Sequence, residues 1–419
     1  HLILDLPRSP VMATIEVEPP TGESANDPVD KVGSIEYADA HSDGLLVPPL
    51  ITSKSSDEDD DSKTADMLLT TPRIKAELKA MSESGIGNID EAKPPTWTEI
   101  IGLLATPLYS ALPLSLLLCF YLIRCNGWIL YLFLLFLTYT LFIQDFQNTG
   151  GFPLPFYRKS FAFRNFVKYF PIEVEKMADL DPSKNYIFGY HPHGIIGMGA
   201  QGVFATDATR FSKLFPGIMP RLLTLDLNFR IPFFSLLLGA QGVCSASKRS
   251  CMHILTKLGP GHSVVLVLGG AKESLDAHPG VFDLTLKNRK GFVKVALRTG
   301  AAIVPTFGFG ETDVFYQVEN PHGSPLRKIQ EFLQSQLKFA VPLFFGRGIF
   351  TNYGILPLRR KIMVVIGNPI DIPKTPENEI TPDLVNKYHQ MYLKGLTEVF
   401  NKYKNVYARD RKSSIAFTQ

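Results

Sequence analysis

YIFGYHPHGIIGMG, at residues 186–199, is an unbroken apolar run that stops at two histidines separated by one proline. Tyr186-Ile187-Phe188-Gly189-Tyr190 reads as a short buried strand, and Pro192 with Gly194 ends it in a tight turn. His191 and His193 then sit at the tip of a strand, where α/β proteins commonly hold reactive groups. Imidazole is the one side chain whose unperturbed pKa lets it take and return a proton near neutral pH. Taken alone, the pair reads equally well as structural or surface histidines on a loop.

Outward from this strand, from Tyr169 onward, apolar runs alternate with helical periodicity. Strands are expected at 186–190, 242–245, 263–268, 302–307 and 361–366. Helices are expected at 207–214, 249–258, 291–299, 325–339 and 382–404. The last carries Leu384, Tyr388, Met391, Tyr392, Val399 and Tyr403 at helical spacing, a core-packing stripe. The expected fold is α/β, a mixed, largely parallel sheet with flanking helices and no internal repeat.

Before this domain lies a different kind of sequence. Residues 100–123 are 24 positions without a charge, residues 127–143 add 17 more, and only Arg124-Cys125-Asn126 separates them. A hydrocarbon core needs about 20 apolar residues per helix. Residues 97–146 therefore read as an antiparallel membrane hairpin, either transmembrane or re-entrant, since Pro107 and Pro113 would kink its first half. A buried helical hairpin of a soluble protein is the alternative. Arg158, Lys159, Arg164 and Lys168 follow the hairpin closely, and no comparable cluster precedes it. The positive-inside rule then favours a catalytic domain on the cytosolic side. The aromatic and basic stretch 152–170 suits an interfacial segment.

The net charge of +3 over 419 residues hides a split. Residues 1–95 hold 8 Lys+Arg against 19 Asp+Glu, and the remainder holds 35 against 21. We expect residues 1–92 to be mostly disordered, with one short helix at 73–82, and residues 409–419 to form a flexible tail. The catalytic domain then spans 147–408. Its basic excess suits anionic lipid headgroups or a phosphorylated co-substrate. No recognised nucleic-acid motif accompanies it. Leu2 to Leu6 is too short for a signal-peptide core, and Met12 is a natural place for the chain to start. Cys119, Cys125, Cys244 and Cys251 form no CxxC pair, which fits a reduced, cytosol-facing domain.

Three further blocks carry chemistry. The run 263–268 opens into Gly269-Gly270-Ala271-Lys272-Glu273-Ser274, so Glu273 is placed at a strand end much as the histidines are. If the two strands are neighbours, Glu273 could accept a hydrogen bond from a histidine and orient it. An ordinary capping or surface glutamate is the plainer alternative. Next, Arg289-Lys290-Gly291-Phe292-Val293-Lys294 puts Lys290, Lys294 and Arg298 on one helical face. With Arg289 they could receive cofactor phosphates or lipid headgroups, or form a merely solvated face. Finally, Phe307-Gly308-Phe309-Gly310-Glu311 looks like a strand ending in a Gly-rich turn.

HPHG at 191–194, YFP at 169–171 and the block RKGFVKVALRTGAAIVPTFGFGE at 289–311 together resemble the type 2 diacylglycerol acyltransferase family. That family includes monoacylglycerol and wax-alcohol acyltransferases, and the resemblance runs from about residue 100 to about Lys404. It implies a glycerolipid-acyltransferase-like fold and an acyl-CoA-dependent O-acyltransferase that makes triacylglycerol at the endoplasmic reticulum and lipid droplets. Its partners would be acyl-CoA, diacylglycerol and membrane lipids, without a further cofactor or a metal; homo-oligomerisation is left open. The family's proposed neutral-lipid motif, Phe-Leu-x-Leu near the first membrane segment, has no clean counterpart, which leaves acceptor binding unassigned.

Acyl transfer from a thioester to an alcohol needs a base for the hydroxyl proton, donors for the oxyanion and exclusion of water. A thiol leaves readily, with a pKa near ~8.5, and there is no G-x-S-x-G elbow, so direct transfer with one histidine base is expected. His193 is the expected base, Glu273 its orienting group and His191 a structural or supporting group, with backbone N–H groups around Gly194 as oxyanion donors and Pro192, Gly269 and Gly270 shaping the turns. Related glycerolipid acyltransferases use H-x4-D and an arginine phosphate grip. Here Ile196 and Met198 stand five past each histidine, and the Glu273 block holds no arginine, which suits an acceptor without phosphate. His278 and Asp283 match H-x4-D by spacing, a pattern chance supplies easily. Two rivals remain: a zinc hydrolase using His191 and His193 with His253, His262 or Glu273, and a non-catalytic scaffold on lipid droplets.

Overall fold

In the computed structural model, which describes residues 94–419 apart from Asn126, Lys338 and Asn352, the apolar run at Tyr186 becomes a central strand. The expected disorder over 1–92 and the helix at 73–82 lie outside the described residues. In chain order the strands are β1 (Glu173–Lys176), β2 (Tyr186–His191), β3 (Met219–Thr224), β4 (Cys244–Ser245), β5 (His262–Val267) and β6 (Asp283–Thr285). They continue as β7 (Ala302–Phe309), β8 (Tyr316–Gln317), β9 (Phe344–Phe345), β10 (Met363–Ile366) and β11 (Ala416–Thr418). Seven of them form one sheet in the order β1-β10-β7-β2-β5-β3-β4. All its pairs are parallel except β10 with β7, so the sheet is mixed and largely parallel.

Alternation along β2 explains its unbroken apolar run. Tyr186, Phe188 and Tyr190 point into one core with Phe204, Val265 and Val304, while Ile187 points into the other with Val264, Ile303, Tyr392 and Leu396. A strand covered on both faces has no solvent side to make polar. The helices that matter here are α1 (Trp97–Leu104), α2 (Leu112–Arg124), α3 (Trp128–Thr138), α4 (Phe161–Tyr169), α5 (Met198–Phe204) and α6 (Phe234–Gln241). After them come α7 (Lys248–Lys257), α8 (Gly270–Ser274), α9 (Gly291–Thr299), α10 (Pro325–Leu337) and α11 (Pro382–Tyr407). Helices α1, α4, α5 and α6 supply the first core and α7, α9 and α11 the second.

The apolar stretch ahead of the domain divides in two. Helix α1 starts with a capping box in which Thr96 and Glu99 satisfy each other's backbone N–H groups. It packs on α4, burying Ile100 and Leu103, and Glu99 pairs with Arg359 at 3.4 Å. The first expected membrane segment therefore begins with a helix packed on the globular domain, and together with 109–124 it makes a broken apolar span. Between 97–104 and 109–124 the axis bends by 65°, where Pro107 opens a π-turn. Residues Trp128–Thr149 make a helical stretch of 22 residues, mean hydropathy 1.8, long and apolar enough to cross a membrane, with a break at Gln144 and Asp145. Helices α2 and α3 lie against each other and expose Leu117, Phe120, Tyr121, Trp128 and Tyr131.

Three other expectations change. Residues 207–210 are not helical, because Arg210 takes a left-handed conformation and only Phe211–Leu214 forms a turn of helix. Residues 409–419 are not a loose tail, since β11 pairs in parallel with β6, and the Leu286 and Lys287 N–H groups donate to the Thr418 carbonyl. Arg158 is half-buried and tied into the domain, donating to the carbonyls of Phe204 and Thr206 at 3.0 and 3.4 Å.

Candidate active site

Parallel pairing of β5, β2 and β7 brings three carboxyl ends to one edge of the sheet, the usual place for a ligand site in such folds. From β2 comes His191-Pro192-His193-Gly194, from β5 Gly269-Gly270 and from β7 Gly310-Glu311. The sequence therefore brings its histidines and both strand-end glutamates together by topology.

The two histidines have different neighbours. His191 continues the face of Ile187 and Gly189, is fully buried, and its Nε2 lies 3.0 Å from the Tyr392 hydroxyl. That hydroxyl donates to the Gly189 carbonyl at 3.1 Å, so the His191 Nε2–H must donate to Tyr392. Burial pulls the His191 pKa down to about 3, which makes it a neutral structural group. His193 is half-buried, and its Nδ1 lies 3.1 Å from the Gly194 carbonyl. A carbonyl only accepts, so Nδ1 carries the proton and Nε2 keeps a lone pair. The His193 side chain lines a cavity of about 420 Å³ with Ile195, Met198, Leu222, Phe234, Val267 and Ser274. The same cavity reaches Thr106 and Pro107 at the bend of the apolar segment.

Glu273 is beside His193 but does not orient its ring. Its Oε1 accepts the His193 backbone N–H at 2.5 Å and its Oε2 accepts the Thr285 N–H at 3.0 Å. The end of β5 faces the peptide of the β2 turn, so the carboxylate fixes that turn rather than the imidazole. Burial pushes the Glu273 carboxyl up to about 7, against the opposing pull of the two N–H groups and the Arg289 charge. The approach depends on Gly269, where a Cβ would lie 2.0 Å from Glu273 Oε2. Gly269→Ala is expected to cost about 1–3 kcal/mol by overpacking. Thermal unfolding of the detergent-solubilised protein checks this, and an unchanged Tm would contradict it.

A second buried carboxylate, Glu311, was not expected in the site. Its Oε1 accepts the Met198 N–H at 2.6 Å, and its Oε2 accepts the Gly199 N–H at 2.8 Å and the Tyr190 hydroxyl at 2.5 Å. Glu311 thereby ties β7 to the start of α5, immediately after the histidine turn. Burial also raises its carboxyl to about 7. The signal was present as a glutamate following glycine at a strand end, the same placement as Glu273. Gly194 must be glycine beside it, since its φ is +59° and a Cβ there would lie 2.9 Å from the Glu311 carbonyl oxygen. The N–H groups of Gly194, Ile195 and Ile196 have no acceptor among the described residues.

The basic stripe is only partly at this site. Arg289 is exposed near Gly270, with Nη2 4.0 Å from where a Gly270 Cβ would stand. Lys290 donates to Asn386 Oδ1 at 2.7 Å, Arg298 forms a two-bond ion pair with Glu377, and Lys294 is exposed on the same helix face. None of the four lines the cavity. His278 reaches Asn320 Oδ1 at 3.3 Å and has no bond to Asp283 among the described residues, so the H-x4-D spacing does not assemble a pair.

Desolvation holds His193 below the ordinary imidazole pKa. If His193 serves as a base it works only when neutral, and any turnover that depends on it is then expected to fall as pH drops through that depressed value. The acid limb of kcat/KM should therefore have its midpoint below ~6.5. A limb centred above that value would contradict the environment described.

The sequence profile of a family described as diacylglycerol acyltransferase matches residues 120–418. Diacylglycerol O-acyltransferase 2A of Umbelopsis ramanniana is 46% identical over 287 residues, covering 68% of this chain and 81% of that protein. Diacylglycerol O-acyltransferase 2 of Dictyostelium discoideum is 47% identical over 271 residues, covering 64% and 81%. 2-acylglycerol O-acyltransferase 1 of Bos taurus is 45% identical over 298 residues, covering 71% and 88%. Among solved structures, the 1-acyl-sn-glycerophosphate acyltransferase PlsC of Thermotoga maritima is similar at 14% identity and a TM-score of 0.30, too slight a likeness to carry an argument.

Proposed function

The chain belongs to the diacylglycerol acyltransferase family, and on that premise we propose that His193 is the base of an acyl transfer from acyl-CoA to diacylglycerol. The chain is an acyl-CoA-dependent O-acyltransferase of glycerolipid metabolism, and its product is triacylglycerol. The observation that supports the site assignment is that His193 lines a largely apolar cavity bounded by the bend of the apolar segment, while its Nδ1, 3.1 Å from the Gly194 carbonyl, leaves Nε2 with the lone pair.

The steps follow from these groups. His193 Nε2 takes the proton of the free diacylglycerol hydroxyl as that oxygen attacks the thioester carbonyl. The Nδ1–H bond to the Gly194 carbonyl holds the required tautomer and lends the imidazolium a fixed acceptor. Backbone N–H groups at 194–196 face the oxyanion of the tetrahedral intermediate. Its collapse breaks the C–S bond, and the proton on Nε2 passes to the departing CoA thiolate. Glu273 and Glu311 act on the turn's backbone, so they are positioning residues. Arg289 stands where a CoA phosphate or an anionic headgroup would meet the rim of the site.

Helices α2 and α3 serve in this reading as the membrane anchor, with the domain on the cytosolic side of the endoplasmic reticulum or on a droplet surface. The bend at Pro107 then brings the cavity to the lipid from which the acceptor comes. The test is competition for labelled acyl-CoA among diacylglycerol, monoacylglycerol and a long-chain alcohol. Triacylglycerol should dominate. Preferential acylation of monoacylglycerol would move the assignment to the activity named for the bovine relative.

A further inference from the structure

Among the described residues, large apolar side chains stand exposed in a second group, on the hairpin at 346–356. The backbone there is braced. The Arg347 N–H donates to the Leu356 carbonyl at 2.7 Å and the reverse bond is 2.9 Å. Gly346 pairs with Gly354, the Gly348 N–H donates to the Thr351 carbonyl at 2.9 Å, and the Thr351 hydroxyl donates to the Tyr353 carbonyl at 2.7 Å. Hairpin tips ordinarily carry small polar residues. This one presents Phe350, Tyr353 and Ile355, exposed at 84%, 70% and 75%. A braced tip that bears three large apolar side chains, none of them buried by the chain itself, points to an external apolar phase.

Position identifies the phase. The Phe350 ring lies 5.6 Å from the ring of Trp97, the first residue of α1, the helix that leads to the bent apolar segment. Tyr353 lies 5.4 Å from Phe345, and Phe345 5.5 Å from Tyr316, a second run of aromatic rings beside the hairpin. Aromatic rings with a polar edge gather at the membrane–water boundary, flanking hydrocarbon-spanning helices. The segment just before β9 contributes Phe339, Ala340 and Pro342 to the His193 cavity, so whatever seats the hairpin also seats the cavity wall.

We propose that the 346–356 hairpin is a second membrane contact, its tip set ~5–10 Å into the headgroup–acyl boundary of the bilayer that takes up α2 and α3. The inference rests on the membrane reading of those two helices. Two contacts fix the tilt of the domain and hold the cavity against the lipid surface.

The test uses the full chain with Cys119→Ser and Cys125→Ser, the buried Cys244 and Cys251 being protected from label. An environment-sensitive fluorophore is placed on Phe350→Cys, Leu117→Cys or Glu379→Cys, and the protein is reconstituted in phosphatidylcholine vesicles with or without shallow brominated chains. The label at 350 should be blue-shifted and lose most of its fluorescence to the brominated lipid, as should that at 117, while that at 379 keeps its own. Quenching at 117 with a signal at 350 like that at 379 would overturn the second contact and leave the anchor standing. No quenching at either 117 or 350 would overturn both. A blue shift at 350 without quenching would mean that protein, such as a second copy, covers the tip, and would overturn the proposal. Retained acyl transfer by each labelled variant shows that it is folded.

Discussion

Replacing His193 with alanine is expected to lower acyl transfer about 100-fold or more, the usual contribution of a positioned base. The effect should fall on kcat rather than on KM, because the imidazole gains its charge only as the hydroxyl proton moves. Folding should be little affected, since the ring is half-buried and its one protein hydrogen bond is to the adjacent residue. Removal leaves a gap in the cavity wall that small bases can enter, so added imidazole should restore part of the rate to His193→Ala and none to wild type. His191 contrasts with it. That ring is fully buried with its Nε2–H on Tyr392, so His191→Ala should act first on stability, through a core cavity and the loss of the bond the Tyr392 hydroxyl accepts. Loss of activity in His193→Ala together with a collapsed Tm would point to a structural role for this ring and contradict the assignment.

Glu273→Ala is expected to have the second largest effect, by a different route. Two buried backbone donors, the His193 and Thr285 N–H groups, would lose their acceptor. At about 1–3 kcal/mol for each unsatisfied group, the loss of stability should be about 2–6 kcal/mol. Activity should fall with it, because the peptide of His193 is what the carboxylate holds. Glu273→Gln keeps one amide oxygen as acceptor but turns an NH2 toward the other donor, so its loss should be roughly half as large. Unfolding followed in detergent, beside the pH profile of the surviving activity, separates the roles. A residue that holds the turn lowers kcat and Tm and leaves the acid limb in place, whereas one that tunes the imidazole shifts the limb. A shifted limb with an unchanged Tm would contradict the positioning role.

Much of this architecture was legible because it follows from short-range pattern. The apolar runs at 186–190, 263–268 and 302–307 became β2, β5 and β7, and their parallel pairing put the histidines and Glu273 at one edge. What the sequence hid was hidden for identifiable reasons. Helix α5 contains Gly199 and Gly202, poor helix formers retained where neighbours leave no room, a Cβ at 202 lying 2.4 Å from Ile172. Strand β3 carries Pro220 and a buried Arg221 whose Nε–H donates to the Gly150 carbonyl at 2.8 Å, so it does not read as a core strand. β11 has a partner, β6, far away in sequence, and its short run carries no signal of its own. The role of Glu273 was misplaced because spacing indicates which strand ends meet. It does not say whether a carboxylate will find a side chain or a peptide N–H. Glu311 went unassigned for the same reason, although the glycine before it marked the position.

The most direct measurement is the transfer of labelled acyl groups from acyl-CoA to diacylglycerol in membranes that carry wild type or His193→Ala, matched for folded protein. Labelled triacylglycerol should form with wild type and fall about 100-fold or more with His193→Ala. Product formed at the wild-type rate by His193→Ala would contradict the assignment of the base.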